Sequence, residues 1–260
     1  MRLPVAGLLA LTLGAAAPDL SGLDYVQRRG GAVPMAVPLR DAGGDATDLA
    51  RVSGGQPLIV DFGYFHCPTL CSATRDDLLG GLARSGLRAG QDYVLAAVSI
   101  DPAERPQDAA AALRDDLARY PQPGAATAWH FLTGPDASLQ ALQAAAGFHA
   151  RWDGELKQFL HPEGLMFVTP QGRISGYQFG YDDTAAALRR GVSLAAAGIV
   201  APTANPVLLL CFHFNPLTGQ YSFAVTKVLR LMAGVTVLAL GALLASGIRW
   251  RKRRERSIPG

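Results

Sequence analysis

The chain has 260 residues, a formal net charge of +3 and three cysteines. The length suits one substantial core with additions rather than two enzymatic domains. Much of the positive excess lies in Arg249, Arg251, Lys252, Arg253, Arg254 and Arg256, which leaves the body near balance and gives a nucleic-acid partner little support. So few cysteines at this size also exclude a small disulfide scaffold.

From the N-terminus, Arg2 and the apolar run Leu3 to Ala17 have the pattern of a secretory signal, residues 1–17, with cleavage after Ala15 or Ala16; an uncleaved anchor is the alternative. Residues 18–54, rich in Gly, Pro, Asp and Ala, read as a loose arm leading into a first strand or hairpin near Ala36–Leu39. A domain is expected over 55–198. Its first strand is the apolar run Leu58–Phe62, broken at Gly63, and a helix follows over Cys71–Arg84. Tyr93–Ile100 reads as a buried strand and Pro106–Tyr120 as an Ala-rich helix with proline at its start. A short strand Trp129–Leu132 precedes a helix capped by Asp136 and closed near Gly147. Leu165–Thr169 and Arg173–Phe179 form a hairpin, and Asp182 or Asp183 caps a last helix to about Ala197. Strands separated by helices predict an α/β fold, a mainly parallel sheet with a closing antiparallel hairpin and flanking helices.

After a membrane-proximal segment, 199–227, the run 228–248 is apolar but for Arg230 and matches the roughly 20 residues that cross a bilayer. The basic tail 249–260 makes that C-terminal transmembrane helix an anchor with a cytoplasmic end, so the domain is expected on the extracytoplasmic side.

Cys67 and Cys71 stand where the first strand hands over to a helix N-terminus, whose N–H groups and dipole favour thiolates. One helical turn apart, the pair can form a disulfide or hold a soft metal ion. His161 precedes the closing hairpin, on a connection expected at the same end of the sheet. Two thiolates and an imidazole make a trigonal soft-metal site; thiolate selects Cu(I) or zinc, imidazole suits copper, and zinc would want a fourth ligand. His66 is expected to tune the neighbouring thiolate or to be solvated, and Asp101 to orient a partner or cap a helix. His130 and His149 carry no motif. Cys211 and His213, in the segment before the apolar run, are a secondary soft-metal or partner-contact pair or an incidental thiol in an apolar strand.

Phe65-His66-Cys67-Pro68-Thr69-Leu70-Cys71, Val98-Ser99-Ile100-Asp101-Pro102, and His161 ahead of Leu165-Met166-Phe167-Val168-Thr169-Pro170-Gln171-Gly172 together resemble the SCO/SenC family over about residues 55–195. The resemblance implies a thioredoxin-like fold and a membrane-anchored copper protein that helps assemble cytochrome c oxidase. It makes Cys67, Cys71 and His161 the copper ligands, with the two cysteines forming a disulfide when oxidised. It implies as partners the copper-bearing subunit of the oxidase or its assembly factors, at the inner membrane of a bacterium with the domain on the periplasmic side. The chain departs from many members at Ser72, where they have proline, and from some at Leu160, where they have aspartate; many also carry their anchor at the N-terminus. A metallochaperone is thus favoured over an enzyme. The competing class is a thiol–disulfide oxidoreductase with Cys67 attacking and Cys71 resolving. A peroxiredoxin-type peroxidase lacks its Thr-x-x-Cys, because Tyr64 stands three residues before Cys67.

Overall fold

The computed structural model describes residues 22–66, 71–179, 184–201, 214–215, 220–221 and 233–236, with 71–74, 214–215 and 220–221 described by backbone alone. The chain opens with the small hairpin β1 (Leu39–Arg40) and β2 (Ala46–Thr47), then α1 (Leu49–Ser53) and β3 (Leu58–Gly63). Next come α2 (Cys71–Ser85), β4 (Val94–Ser99), α3 (Pro106–Arg119), α4 (Ala125–Ala128), β5 (Trp129–Leu132) and α5 (Asp136–Ala146). The second half holds a hairpin of β6 (Arg151–Asp153) and β7 (Gln158–Leu160), then β8 (Leu165–Val168), β9 (Ile174–Gln178) and α6 (Thr184–Ala196). A two-residue pair, β10 (Phe214–Asn215) with β11 (Gln220–Tyr221), lies beyond them in the chain.

Five strands make the central sheet, in the order β5–β4–β3–β8–β9. β3, β4 and β5 run parallel, while β8 and β9 are antiparallel and close one side. This is the expected thioredoxin-like plan, a parallel βαβ unit joined to an antiparallel hairpin and a last helix. β3 sits in the middle because its residues are apolar on both faces. Leu58, Val60 and Phe62 enter one core with Leu139, Leu142 and Phe148. Ile59 enters the other with Leu78, Leu79 and Leu82 of α2 and Leu188 and Val192 of α6. Each such buried aliphatic or aromatic side chain contributes about 1.5–3 kcal/mol. Alternation puts Asp61 on the second face, under α2, at the end of the sheet that matters below.

Two glycines set how closely α6 approaches. A Cβ on Gly81 in α2 would come within 2.5 Å of the Thr184 methyl, and one on Gly191 in α6 within 2.4 Å of the Phe167 ring. Gly191→Ala is therefore expected to destabilise the domain by about 1–3 kcal/mol through overpacking, which outweighs the ~1 kcal/mol that alanine gains as a helix former. Thermal unfolding checks this; a melting temperature equal to or above the parent's would mean that Phe167 gives way freely.

Several expectations need correction. The arm before β3 is not loose in its described part. Leu23 and Val33 are buried, and the backbone N–H groups of Val26, Gly30 and Val33 donate to Gly147, Ile174 and Gly172 at 2.7, 2.8 and 2.9 Å. Apolar residues among the glycines and prolines tie it down. Asp136 does not cap α5: Pro135 holds the cap position and Asp136 opens the first turn, where its charge still favours the helix dipole. The hairpin β6–β7 was missed, although Asp153-Gly154 between short alternating stretches is a turn signal; Asp153 Oδ1 accepts from the N–H groups of Glu155 and Leu156 at 2.9 Å. No helix among the described residues is long and apolar enough to cross a membrane. Of the span expected at 228–248 only 233–236 are described, as a helical turn. The signal segment 1–17, Cys211 and His213 lie outside the described residues.

Candidate metal centre

α2 begins at Cys71, so the expected helix start is where the second cysteine stands; its side chain and all of Cys67 lie outside what is described. His161 follows β7 directly and leads into β8. Because β8 pairs antiparallel with β3, Asp61 opposite Leu165, residues just before β8 arrive at the end of β3 from which the chain enters the cysteine segment. There His161 and Glu163 line a small cleft with Asp61, Phe62, Gly63, Tyr64 and Phe65 of the β3 end, Arg75 of α2, and Ala97 and Val98 of β4. Its free space of about 20 Å³ holds one water-sized species.

The imidazole of His161 sits among rings, 5.9 Å between centroids from Tyr64 and 6.0 Å from Phe148. Burial lowers its pKa, the nearby Pro162 carbonyl opposing this, so the ring is neutral at neutral pH. Its Nδ1 lies 3.1 Å from the Pro162 carbonyl, which can only accept; Nδ1–H therefore donates and the lone pair falls on Nε2. A neutral imidazole with a fixed tautomer is the state that ligates a metal.

Arg75, which also lines the cleft, belongs to a buried charge cluster that the sequence reading passed over. Asp116 of α3 is fully buried, with Oδ2 2.5 Å from Arg75 Nε and Oδ1 2.5 Å from Arg119. The Arg75 guanidinium also lies 5.7 Å from the centre of the Phe131 ring. Asp61 is only partly exposed, and burial pushes its pKa up to about 6, Arg75 pulling it down and Asp116 pushing it up. Both acids leave a trace in the sequence: Asp61 interrupts an apolar run, and Asp116 continues the buried stripe of Ala109 and Ala112.

The turn entering the cysteine segment is anchored from below. Phe65 stacks on Phe131 with centroids 5.4 Å apart. Glu104, 7% exposed, accepts from the Phe65 and His66 N–H groups through Oε1 at 2.6 and 2.7 Å, and from Ser99 Oγ through Oε2 at 2.6 Å. Burial raises its pKa and these bonds oppose the rise. His66 is exposed, its ring 3.5 Å from Glu104 Oε1 and 3.5 Å from Asp108 Oδ1. Asp101 caps no helix. Its Oδ1 accepts from the Ala103 N–H at 2.8 Å, while Arg105 holds the cap position of α3 and its N–H donates to Asp108 at 2.8 Å. His130 stands in β5, and His149 pairs with Asp24 at the surface; neither lines the cleft. Among the described residues no three His, Cys, Asp or Glu side chains group into a metal-binding cluster.

The sequence matches the SCO1/SenC family over residues 38–195. The chain belongs to that family. A search of curated proteins finds no match. Among solved structures, the SCO1/SenC domain is similar to a protein from Aquifex aeolicus VF5 with a suggested role in electron transfer, at 22% identity, TM-score 0.57, covering 65% of this chain and 95% of that one. It is similar to a SCO1/SenC family lipoprotein from Bacillus anthracis, at 15% identity and TM-score 0.52 over 64% and 96% of the two chains. Arabidopsis thaliana ScoI with copper bound aligns at 15% identity and TM-score 0.48, over 63% and 98%. The first two likenesses establish the fold of the SCO1/SenC domain.

Proposed function

We propose that this SCO1/SenC protein binds copper through Cys67, Cys71 and His161 and passes it to the copper-bearing subunit of cytochrome c oxidase or to its assembly factors. The observation that carries the reading is the position of His161. A neutral imidazole lines a cleft with the last residues of β3, and the chain leaves β3 towards Cys67 and resumes as α2 at Cys71. Two thiolates favour a soft ion and the imidazole suits copper, a donor set that needs no fourth protein ligand for Cu(I). Copper is here the cargo, and exchange of thiolate ligands would move it without releasing a free ion.

The location belongs to the same proposal: the domain faces the extracytoplasmic side of a bacterial inner membrane, supported by the apolar run 228–248 and the basic residues after it.

His161→Ala tests the ligand set. The variant is expected to lose more copper affinity than the roughly 10–100-fold that removing an outer partner of a metal ligand costs, while its cysteine pair still forms a disulfide and undergoes thiol exchange. Metal content after dialysis and the thiolate-to-copper absorbance of the full chain measure it. A variant that holds copper as tightly as the parent would remove His161 from the site, and loss of exchange as well would point to general damage.

A further inference from the structure

Glu104 is nearly buried, yet it belongs neither to the cleft nor to the Arg75–Asp116 cluster. Its carboxylate holds the turn before the first cysteine to the end of β4. One carboxylate oxygen takes the N–H groups of Phe65 and His66, the two residues that precede Cys67 in the chain. The other takes the hydroxyl of Ser99 at the end of β4. The residue itself sits between β4 and α3, so one side chain ties together the ends of β3 and β4 and the start of α3. Phe65, stacked on Phe131, fixes the same turn from its side-chain end. A buried carboxylate is costly to keep, and one satisfied mainly by backbone N–H groups holds those groups in a single geometry.

We infer that Glu104 is a positioning residue for the dithiol: by clamping the Phe65 and His66 amides it fixes the turn from which the chain enters the cysteine segment, and so sets the dithiol–disulfide equilibrium of Cys67 and Cys71. The inference rests on the proposed copper site only for its effect on copper, because the dithiol equilibrium can be read without metal.

The test uses the full chain and the variants Glu104→Ala and Glu104→Gln, equilibrated with reduced and oxidised glutathione. Two glutathione thiols reduce the Cys67–Cys71 disulfide to two thiols and leave as glutathione disulfide. Differential alkylation with peptide mass spectrometry separates this pair from Cys211. Glu104→Ala is expected to shift the equilibrium constant by about fivefold or more, the equivalent of one lost hydrogen bond. Glu104→Gln, whose amide oxygen can still accept both N–H groups, is expected to restore most of the shift. Should Glu104→Ala fail to fold, Ser99→Ala loosens the same carboxylate without touching the turn, and a smaller shift in the same direction is expected. An equilibrium unchanged in every variant that folds, with stability alone altered, would make Glu104 a brace and overturn the inference. A parent chain that binds no copper but shows the glutathione shifts would defeat the proposed function and leave this inference standing.

Discussion

Asp116→Ala is expected to destabilise the domain by about 3–5 kcal/mol, the usual loss when one partner of a buried ion pair is removed. Asp116 is fully buried between two arginines, and the two lose differently. The Arg119 side chain is 41% exposed and also pairs with Asp76 at 2.6 Å, so water and that acid compensate it. The Arg75 side chain is 14% exposed and held against Phe131, so its charge would stay enclosed. Its remaining neighbour is Asp61, whose pKa should fall once the repulsion from Asp116 is gone and Arg75 turns to it. That rescue is partial, because ionising Asp61 carries the desolvation cost that raises its pKa in the native protein. Denaturant unfolding checks the expectation, with a lower midpoint and an unchanged slope. A loss under about 1 kcal/mol would mean that Asp61 replaces Asp116 as the counter-ion and that the pair is worth no more than a surface one.

Asp61→Asn is expected to make the domain more stable at pH 8 and to flatten its dependence on pH. The folded pKa of Asp61 is raised from 3.8 to about 6. A carboxyl raised in the folded state binds its proton more tightly there, so its contribution is fully present below about 3.8 and is lost as pH rises through about 6. At about 1.4 kcal/mol per unit the contribution is at most about 3 kcal/mol. Glu104 and Asp116 are raised as well and slope in the same direction, so the substitution removes part of the dependence. His161 and His130, both lowered by burial, work in the opposite sense: what they contribute is lost as pH falls through their folded pKa values. Unfolding free energies of parent and variant at pH 5 and pH 8 isolate the Asp61 share. If the gap between the two proteins is the same at both values, the carboxyl is not perturbed. Carboxyl chemical shifts followed between pH 4 and 8 give the midpoint directly.

The longer strands and helices of the domain were legible because their burial is regular, whereas the short α1 and α4 were not. β3 and β4 are apolar on both faces, and α2, α3, α5 and α6 are bounded by breaks or by apolar residues at helical spacing, so each was found within a residue or two of its observed ends. The hairpin β6–β7 was not, since Trp152 and Leu156 are exposed and three-residue strands leave little periodicity. The end of the sheet at which His161 lies could be anticipated from topology alone. The groups around it could not. Arg75 and Asp116 lie on different helices and become neighbours only when α3 packs beside α2, and Glu104, in the loop before α3, meets Phe65 and His66 only in the folded chain. Motifs show the donors of a site, whereas the charges that hold its walls emerge from contacts between distant segments.

The antiparallel pairing of β3 with β8 also dictates the order in which the cleft is made. Asp61 finds its cross-strand neighbour Leu165 104 positions later. A ribosome adding about 5–20 residues per second needs roughly 5–20 s to cover that distance. Through most of that interval, from Cys71 to His161, the nascent chain carries both thiols of the CPTLC stretch before the imidazole that lines the cleft has been synthesised. One long edge of its central strand also stands open.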